Sequence, residues 1–209
     1  MSEQQPSIQS VGLAAAPVRV AVTALALSLA GIAGWIAREG DSPVVSVEGE
    51  ERMAPHIPTQ GDVPTIGHGS TRYEDGRPVR LTDPPIPRKR AEALALALHD
   101  EEAVRFRASL PGVELTQGEF DLYLDFTGQY GIGNWRGSSM RRELLATVGV
   151  PMEKAAVHYK RACAALLRYR YAAKYDCSTL VNGKPNKRCW GSWERQLERH
   201  AKCVAEQGG

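Results

Sequence analysis

The sequence is poor in several residue types, and this scarcity narrows the classes of protein it can encode. Its 209 residues include only four cysteines and three phenylalanines, and aromatic residues make up 7%. No internal repeat, collagen-like glycine period or low-complexity tract occurs. Hydrophobic residues at 43% and charged residues at 24% are ordinary proportions for a folded protein. These figures exclude fibrous, wholly disordered and polytopic membrane proteins, and they predict one globular domain with or without an appendage.

Cysteine is absent from the first 162 residues. The four cysteines, Cys163, Cys177, Cys189 and Cys203, are separated by 13, 11 and 13 residues, so the close CxxC pair typical of zinc sites is missing. We expect disulfides instead, provided that the chain reaches an oxidising compartment, and three pairings are open. In one of these pairings, a Cys163–Cys203 disulfide would join two helices, and a Cys177–Cys189 disulfide would close the loop between them. The histidines show no metal-ligand spacing either, so we expect no metal and no cofactor.

The net charge of +2 is the sum of an acidic part and a basic part of the chain. Residues 1–150 carry 14 Lys and Arg against 19 Asp and Glu, whereas residues 151–209 carry 12 against 5. The last third is therefore strongly basic. This fits an anionic polymer as partner, although a solvated basic surface is an equal alternative.

Charge is also absent from one long run near the N-terminus. Residues 20–37 are 18 consecutive uncharged residues between Arg19 and Arg38, just long enough to span a bilayer core. Ten of the 18 are Ala, Gly, Ser or Thr, so insertion would be weakly favourable. Three interpretations compete: a signal peptide cleaved near Ala30 or Ala33, a permanent anchor, or an anchor able to leave the bilayer. We expect a membrane segment at residues 1–38, oriented N-in, and a linker at residues 39–46.

The remainder of the chain indicates an α+β fold that is mainly α-helical. We expect a helical turn near residues 47–54, and a small β-patch around the Asp75-Gly76 turn. From Pro87 onward the apolar spacing is helical. A capping box, Thr116 to Glu119, opens one helix, a glycine-rich loop is expected at residues 129–135, and a last helix at about residues 190–205.

Several short motifs occur in an order typical of one enzyme family. They are Glu48-Gly49, Gly61-Asp62-Val63-Pro64-Thr65-Ile66-Gly67, Phe126-Thr127-Gly128-Gln129-Tyr130-Gly131 and Gly191-Ser192-Trp193-Glu194-Arg195. In this order they resemble the phage-type lysozymes of glycoside hydrolase family 24, over about residues 46–205. With the N-terminal run included, the chain is similar to the signal-anchor-release endolysins, in which an anchor rich in Gly and Ala holds the lysozyme inactive until release.

The resemblance implies a lysozyme-like catalytic domain at residues 47–209 and a set of site residues. Glu48 would be the general acid, which needs a raised pKa to protonate the glycosidic oxygen. Thr65 would help to place water. Gln129 would position the substrate or the acid, and Arg195 would pair with the catalytic glutamate.

The chain departs from the family spacing, which runs Glu, eight residues, Asp or Cys, five residues, Thr. Thr59 stands where the second carboxylate is expected, so Asp62, the only acidic residue of that turn, is the candidate for it. Counting from Glu50 restores the spacing, whereas Glu48 keeps the Glu-Gly pair. Both registers stay open, and we prefer Glu48.

These observations lead us to expect a phage endolysin that cleaves the β-1,4 bond between N-acetylmuramic acid and N-acetylglucosamine and lyses a Gram-negative host. Its partners would be peptidoglycan strands and the inner membrane, not nucleic acid, and it would be a periplasmic monomer after release. A lytic transglycosylase forming 1,6-anhydro ends and a non-catalytic wall-binding protein are the alternatives. Because no cysteine lies in the first half, refolding around the released anchor is the expected mode of activation.

Overall fold

The computed structural model describes residues 17–59, 61–172 and 174–208. Within these ranges a small β-rich lobe is followed by a larger helical body, so the predicted mixed, mainly helical fold is confirmed. The helices are α1 Leu29–Glu39, α2 Arg88–Ala108, α3 Gln117–Arg136, α4 Ser139–Leu145, α5 Met152–Ala165 and α6 Trp190–Ala205. The strands are β1 Val20–Ala21, β2 Val44–Val47, β3 Glu50–Met53, β4 Ile86–Pro87, β5 Glu114–Leu115, β6 Tyr171–Ala172, β7 Tyr175–Asp176, β8 Leu180–Val181 and β9 Lys184–Pro185.

The strands form four small antiparallel sheets rather than one continuous layer. β1 pairs with β5, β3 lies between β2 and β4, β6 pairs with β7, and β8 pairs with β9. Since sheets this short bury little apolar surface, the core of the molecule is made by the helices.

Aromatic side chains from two helices form the centre of the helical body. Phe106 of α2 packs against Phe120 and Trp135 of α3, with ring centroids 5.3 and 5.0 Å apart, and all three rings are fully buried. Burying a ring of this size stabilises the fold by about 1.5–3 kcal/mol. This cluster fixes α2, which leads out of the β-rich lobe, against the helical body.

Helix α3 begins as the sequence predicts and ends differently. The Thr116 hydroxyl accepts from the Glu119 amide at 3.0 Å, and the Glu119 carboxylate accepts from the Thr116 amide at 2.9 Å, which confirms the capping box. The loop expected at residues 129–135 is wrong, because the helix runs on to Arg136. The interruption is confined to a kink at Gly131, whose φ of 81° is costly for other residues.

The helical turn expected at residues 47–54 is also wrong. This segment forms the β2–β3 hairpin, in which Val44 pairs with Met53 and Val47 with Glu50. Glu48 and Gly49 make the reversal with φ angles of 53° and 82°, the left-handed pair that a tight hairpin requires. Three of the four residues of β2 are valines, whose β-branched side chains suit a strand better than a helix.

The described part of the predicted membrane segment packs on the helical body. β1 pairs with β5, and Val22 and Leu25 are buried in the same core as Phe120. The Ser28 hydroxyl caps α1 by accepting from the Gly31 amide at 3.0 Å. The first 16 residues of the predicted segment lie outside the described residues. Within the described ranges, no helix has both the length and the apolar character needed to cross a bilayer.

Both disulfides are present. Cys163 of α5 pairs with Cys203 of α6, and Cys177 pairs with Cys189. The first bridge clamps two helices of the body, and the second closes the loop between α5 and α6. Of the three pairings that the sequence leaves open, this is the one that clamps two helices and closes the intervening loop.

Candidate active site

A cleft separates the β-rich lobe from the helical body. It contains a cavity of about 250 Å³ that is lined by residues of α1, α2, α3 and the segment around residue 70. The residues that line it and carry polar or aromatic groups are Trp35, Ser70, Thr71, Arg72, His99 and Glu102. Gly128, which precedes the predicted substrate-binding residue Gln129, also lines this cavity.

Thr65 lies in a tight turn at the edge of the β-rich lobe. Its amide donates to the His56 carbonyl at 2.8 Å and its carbonyl accepts from the His56 amide at 2.9 Å. The backbone then reverses between Ile66 and Ser70, which pair with each other. The Thr65 hydroxyl is buried and makes no hydrogen bond with any residue that the structure describes. A buried hydroxyl without a protein partner is suited to holding a water molecule.

Gly67 allows this turn to lie close to α2. Its φ is 65°, and a Cβ at this position would lie 2.7 Å from the Cβ of Ala91. The turn at residues 65–70 therefore requires glycine both for its backbone conformation and for its close approach to the helix.

The chain that leaves α1 is bonded directly to the 65–70 turn. The Ser42 amide donates to the Gly67 carbonyl at 2.9 Å, and the Asp41 carboxylate lies 3.1 Å from Nδ1 of the fully buried His68. A hydrogen bond from Arg88 holds the pKa of Asp41 below its usual range. α1 ends at Glu39, and Gly40 caps it with a φ of 73°. The C-terminal end of α1 and Thr65 are thus held on the same side of the β-rich lobe.

The structure does not bring Glu48 to Thr65. Glu48 is exposed at the tip of the β2–β3 hairpin, whose base is closed by the hydrogen bond from the Ala54 amide to the Pro43 carbonyl. Four residues of strand separate this base from the tip, which is about 13 Å at 3.3 Å per residue. The alternative, Glu50, is on the same hairpin and is exposed, with its carboxylate 3.2 Å from Arg52. Neither glutamate lines the cleft cavity.

Asp62 lies in the exposed loop before Thr65. Its amide donates to the Thr59 carbonyl at 2.9 Å, which makes it part of a turn. Its side chain is exposed and does not line the cleft cavity. Asp62 therefore forms part of the turn that precedes Thr65, and its role as the second carboxylate stays a prediction.

The two predicted substrate-binding residues belong to one charged network between α3 and α6. Arg195 donates to Asp125 at 2.6 Å, and Arg199 donates both to Asp125 at 2.7 Å and to the Gln129 side-chain carbonyl at 2.6 Å. Burial works to raise the pKa of Asp125, but the two arginines outweigh it and lower this pKa. The network fixes Gln129 beside the kink of α3. Arg195 contacts this aspartate rather than Glu48, the general acid it was expected to pair with.

Two titratable groups of α2 face the cleft with shifted pKa values. Burial lowers the pKa of His99, whose ring meets Trp35 edge to face at 4.1 Å. Burial raises the pKa of Glu102, against the opposing effect of Arg72 and Arg105. A carboxyl group with a raised pKa in a cleft is a feature of acid catalysis, and the sequence motifs gave no reason to select Glu102.

A comparison with known protein families identifies the class of enzyme to which this site belongs. The sequence model of the family described as phage lysozyme matches residues 45–188, well over half of the chain. The chain belongs to the phage lysozyme family. It is therefore a glycoside hydrolase of the muramidase type, and the predicted enzyme class is confirmed. A comparison with the curated proteins finds no match.

Solved structures of phage lysozymes share this fold. The endolysin of Escherichia coli O157:H7 phage FAHEc1 is 21% identical, with a TM-score of 0.61 over 87% of this chain and 94% of that chain. A P22 lysozyme variant is 20% identical, with a TM-score of 0.59 over 86% and 99%. The muramidase domain of SpmX from Asticaccaulis excentricus is 17% identical, with a TM-score of 0.54 over 88% of this chain and 97% of that chain.

One residue that the motifs missed stands out once the fold is known. Glu39 is followed by Gly40, so it repeats the Glu-Gly pair for which Glu48 was preferred. It is the last residue of α1, and the chain after it bonds to the 65–70 turn. The Glu39-Gly40 pair is visible in the sequence alone. Glu39 lies two positions after the uncharged run at residues 20–37, so the interpretation of that run as a membrane segment places Glu39 in a linker.

Proposed function

We propose that this phage lysozyme is an endolysin that hydrolyses the β-1,4 bond between N-acetylmuramic acid and N-acetylglucosamine in peptidoglycan, with Glu39 as the general acid. The observation that carries this proposal is the bonding of the chain after α1 to the 65–70 turn. Ser42 and Asp41 reach Gly67 and His68, which follow Thr65 by two and three residues. This bonding supports the proposal, because it ties the chain that follows a helix-ending glutamate to the turn that follows Thr65, whose buried hydroxyl has no protein partner among the described residues.

The spacing along the chain supports Glu39 as well. It precedes Thr65 by 26 positions, eleven more than the family pattern. The ten-residue hairpin formed by β2 and β3 lies between the two residues in the chain. An insertion of this length accounts for nearly all of the difference. The spacing therefore fits a family site in which an extra hairpin interrupts the usual sequence interval.

The division of roles follows from the chemistry of glycoside hydrolysis. The Glu39 carboxylic acid gives its proton to the glycosidic oxygen as the bond to the sugar breaks, and water adds to the sugar carbon, giving a reducing end. The Thr65 hydroxyl, which has no partner among the described residues, holds this water. Gln129, fixed by Arg199, orients the strand from the opposite side of the cleft.

Glutamate-to-glutamine substitutions, which remove the acidic group and keep the size of the side chain, test the assignment in a turbidity assay on permeabilised Gram-negative cells. Glu39→Gln is expected to lower the lytic rate by at least about 10²-fold, the usual effect of losing a general acid. Glu48→Gln is the matched control on the hairpin and is expected to leave lysis within about twofold, since an exposed side chain outside the cleft takes no part in proton transfer. Loss of lysis in Glu48→Gln or Glu102→Gln, with Glu39→Gln active, would move the acid to that residue.

The ends of the products separate hydrolysis from transglycosylation. We expect free reducing ends on muropeptides released from purified sacculi, because water is the acceptor. Release of 1,6-anhydro ends would instead identify a lytic transglycosylase. Binding to sacculi without release of any product would support the non-catalytic alternative.

The N-terminal segment extends the proposal to localisation. Residues 20–37 hold the protein in the host inner membrane in the N-in orientation, and after release the protein works in the periplasm as a monomer. In support, the uncharged run has the length of a bilayer span, while in the folded protein the same residues supply Val22 and Leu25 to the core and Trp35 to the cleft. An enzyme whose segment is still in the membrane would lack this side of its cleft.

Fractionation and N-terminal sequencing test the release. The periplasmic protein is expected to keep its original N-terminal residues. A periplasmic protein trimmed near Ala30 or Ala33 would identify a cleaved signal peptide. Activity of the membrane-bound fraction equal to that of the released protein would contradict the inactive anchored state.

A further inference from the structure

Residues 170–189 leave the helical body between α5 and α6 as a separate, covalently closed segment, which we call the arm. It contains the β6–β7 and β8–β9 hairpins, and the Cys177–Cys189 disulfide closes it. The Cys177 amide donates to the Arg170 carbonyl at 2.7 Å and ties the disulfide to the start of the arm. Because a crosslinked surface loses little conformational entropy on binding, the arm is preorganised for a ligand.

The arm carries a concentrated positive charge. It contains five cations and one acid, Asp176. Arg170 lies 3.1 Å from Asp176, so this pair is neutral. The other four cations are exposed and form no salt bridge with any residue in the described ranges: Lys174, Lys184, Lys187 and Arg188. Four uncompensated charges on so short a segment favour an anionic partner.

Apolar and aromatic side chains lie among these cations. Tyr171, Tyr175, Leu180 and Val181 are 56%, 45%, 60% and 53% exposed. The Arg188 guanidinium lies 4.6 Å from the centre of the Tyr175 ring. Both groups border an open groove of about 680 Å³, together with Val181, Lys184 and Lys187. Aromatic faces beside cations suit a ligand that has both apolar surfaces and carboxylates.

Both ends of the arm are attached next to the cleft. Tyr169, which precedes the arm, packs edge to face on Phe126 at 4.6 Å, and its carbonyl accepts from the Tyr130 hydroxyl at 3.3 Å. Gln196 of α6, which follows the arm, donates to the same Tyr130 hydroxyl at 2.8 Å. Tyr130 is the neighbour of Gln129. Tyr169, immediately before the arm, and Gln196, seven positions after it, therefore both bond to Tyr130, two positions after the cleft-lining Gly128.

We propose that the arm binds a peptidoglycan strand beyond the cleft, with Lys184, Lys187 and Arg188 pairing with carboxylates of the strand and Tyr175 stacking on a sugar ring. This inference rests on the proposed function, since it takes the wall polymer as the substrate. The arm's continuity with the cleft favours the strand over an anionic lipid surface, because a polymer that occupies the cleft must pass over its borders. The arm then raises the affinity for long strands and leaves cleavage of short ones unchanged.

Binding is measured by sedimentation of the full-length Glu39→Gln protein with purified sacculi. Adding Lys184→Gln and Lys187→Gln together gives the arm variant, which is expected to bind about three- to tenfold more weakly than the Glu39→Gln protein. Rising salt should weaken binding by the Glu39→Gln protein more than binding by the arm variant. The matched control is Lys154→Gln with Lys160→Gln, which removes two exposed charges from α5. Equal binding by the arm variant and this control would overturn the proposal.

Kinetics on two substrates give the second readout. In the active protein, with Glu39 intact, the Lys184→Gln and Lys187→Gln variant is expected to show a several-fold higher KM on sacculi. Its turnover of a soluble oligosaccharide that fills only the cleft should be unchanged. Tyr175→Ala should behave in the same way. Equal losses on both substrates would overturn the proposal, because they would place the arm in the support of the cleft.

Two further outcomes separate this inference from other interpretations. If the arm variant loses binding to vesicles of phosphatidylglycerol and phosphatidylethanolamine but keeps its binding to sacculi, the occupant is a lipid surface and the proposal is overturned. If the protein with Glu39 intact releases no product, yet the Glu39→Gln protein sediments with sacculi through the arm, the proposed hydrolysis fails while the arm assignment is supported.

Discussion

Arg19 donates to both carboxylate oxygens of Glu119, at 2.7 and 2.9 Å, although 100 residues separate the two in the chain. The Glu119 side chain is only 1% exposed. The Arg19 guanidinium also lies 3.8 Å from the centre of the Tyr159 ring. Glu119 is at the same time the capping residue of α3, so the segment that precedes α1 is joined to the helical body at a buried charge.

Removal of Arg19 is expected to destabilise the folded protein strongly. Arg19→Gln leaves Glu119 buried without its cation, which costs about 3–5 kcal/mol in the free energy of unfolding measured with urea. Arg52→Gln is the control, since it breaks the exposed pair with Glu50 and should cost at most about 1 kcal/mol. A loss no larger than that of the control would show that Glu119 does not depend on Arg19.

Gly67 is expected to tolerate alanine poorly. Gly67→Ala adds a Cβ 2.7 Å from that of Ala91 in a left-handed conformation, so it should combine a strain of about 1–2 kcal/mol with a steric displacement of α2. Gly76→Ala is the control, because Gly76 has a φ of 82° but no atom within 4 Å of the added Cβ. The unfolding free energies should differ by at least about 1 kcal/mol. Equal losses would mean that the contact with α2 relaxes freely.

His99 is expected to make stability depend on pH below neutrality. Its pKa in the folded protein is lowered by burial from the usual value of 6.5. As the pH falls below 6.5, the unfolded chain therefore binds the proton first, and the free energy of unfolding decreases until the pH passes the folded pKa. Proton NMR titration of the imidazole should give a pKa below 6.5. His99→Gln should flatten the stability profile in this interval, and an unchanged profile would contradict the assignment.

The two disulfides are expected to differ in their effect on stability. Cys163–Cys203 closes a separation of 40 residues and Cys177–Cys189 one of 12. Loop-closure entropy makes the longer crosslink about 1 kcal/mol more stabilising. Thermal unfolding of the paired serine variants should therefore rank Cys163→Ser with Cys203→Ser as the less stable. The opposite ranking would indicate that the arm contributes packing that the loop-entropy argument omits.

The elements that could be predicted are those whose signals are local. Thr116 and Glu119 stand three residues apart, and each side chain accepts a hydrogen bond from the other's backbone amide at the start of α3. The capping box therefore needs no tertiary contact. The β2–β3 hairpin differs from the helical turn expected there, although three of the four residues of β2 are β-branched valines. The left-handed conformation of Glu48 and Gly49 follows from strand pairing, whereas the family resemblance implied a catalytic role for Glu48.

The candidate site was predicted only in part, because its parts come from distant segments. Thr65 could be located from its motif, and Gln129 from the α3 segment. The aspartate that joins Arg195 to Arg199 could not, since Asp125 carries no motif and its role depends on the crossing of α3 and α6. Glu102 was missed for the same reason: its raised pKa comes from burial, which only packing determines.

The sequence by itself determined the fold class, the enzyme family, the grouping of the cysteines in the last third and the excess of positive charge there, because composition and ordered motifs carry these properties without any long-range contact. Only the tertiary structure could decide where the backbone of each Glu-Gly pair lies relative to the 65–70 turn. Glu48 is carried away on a hairpin, whereas the chain after Glu39 is bonded to the 65–70 turn through Ser42 and Asp41. It also decided where residues 20–37 pack in the folded protein. An apolar run lacking a periodic pattern specifies burial without specifying a partner, and here Val22, Leu25 and Trp35 find that partner in the helical body and its cleft.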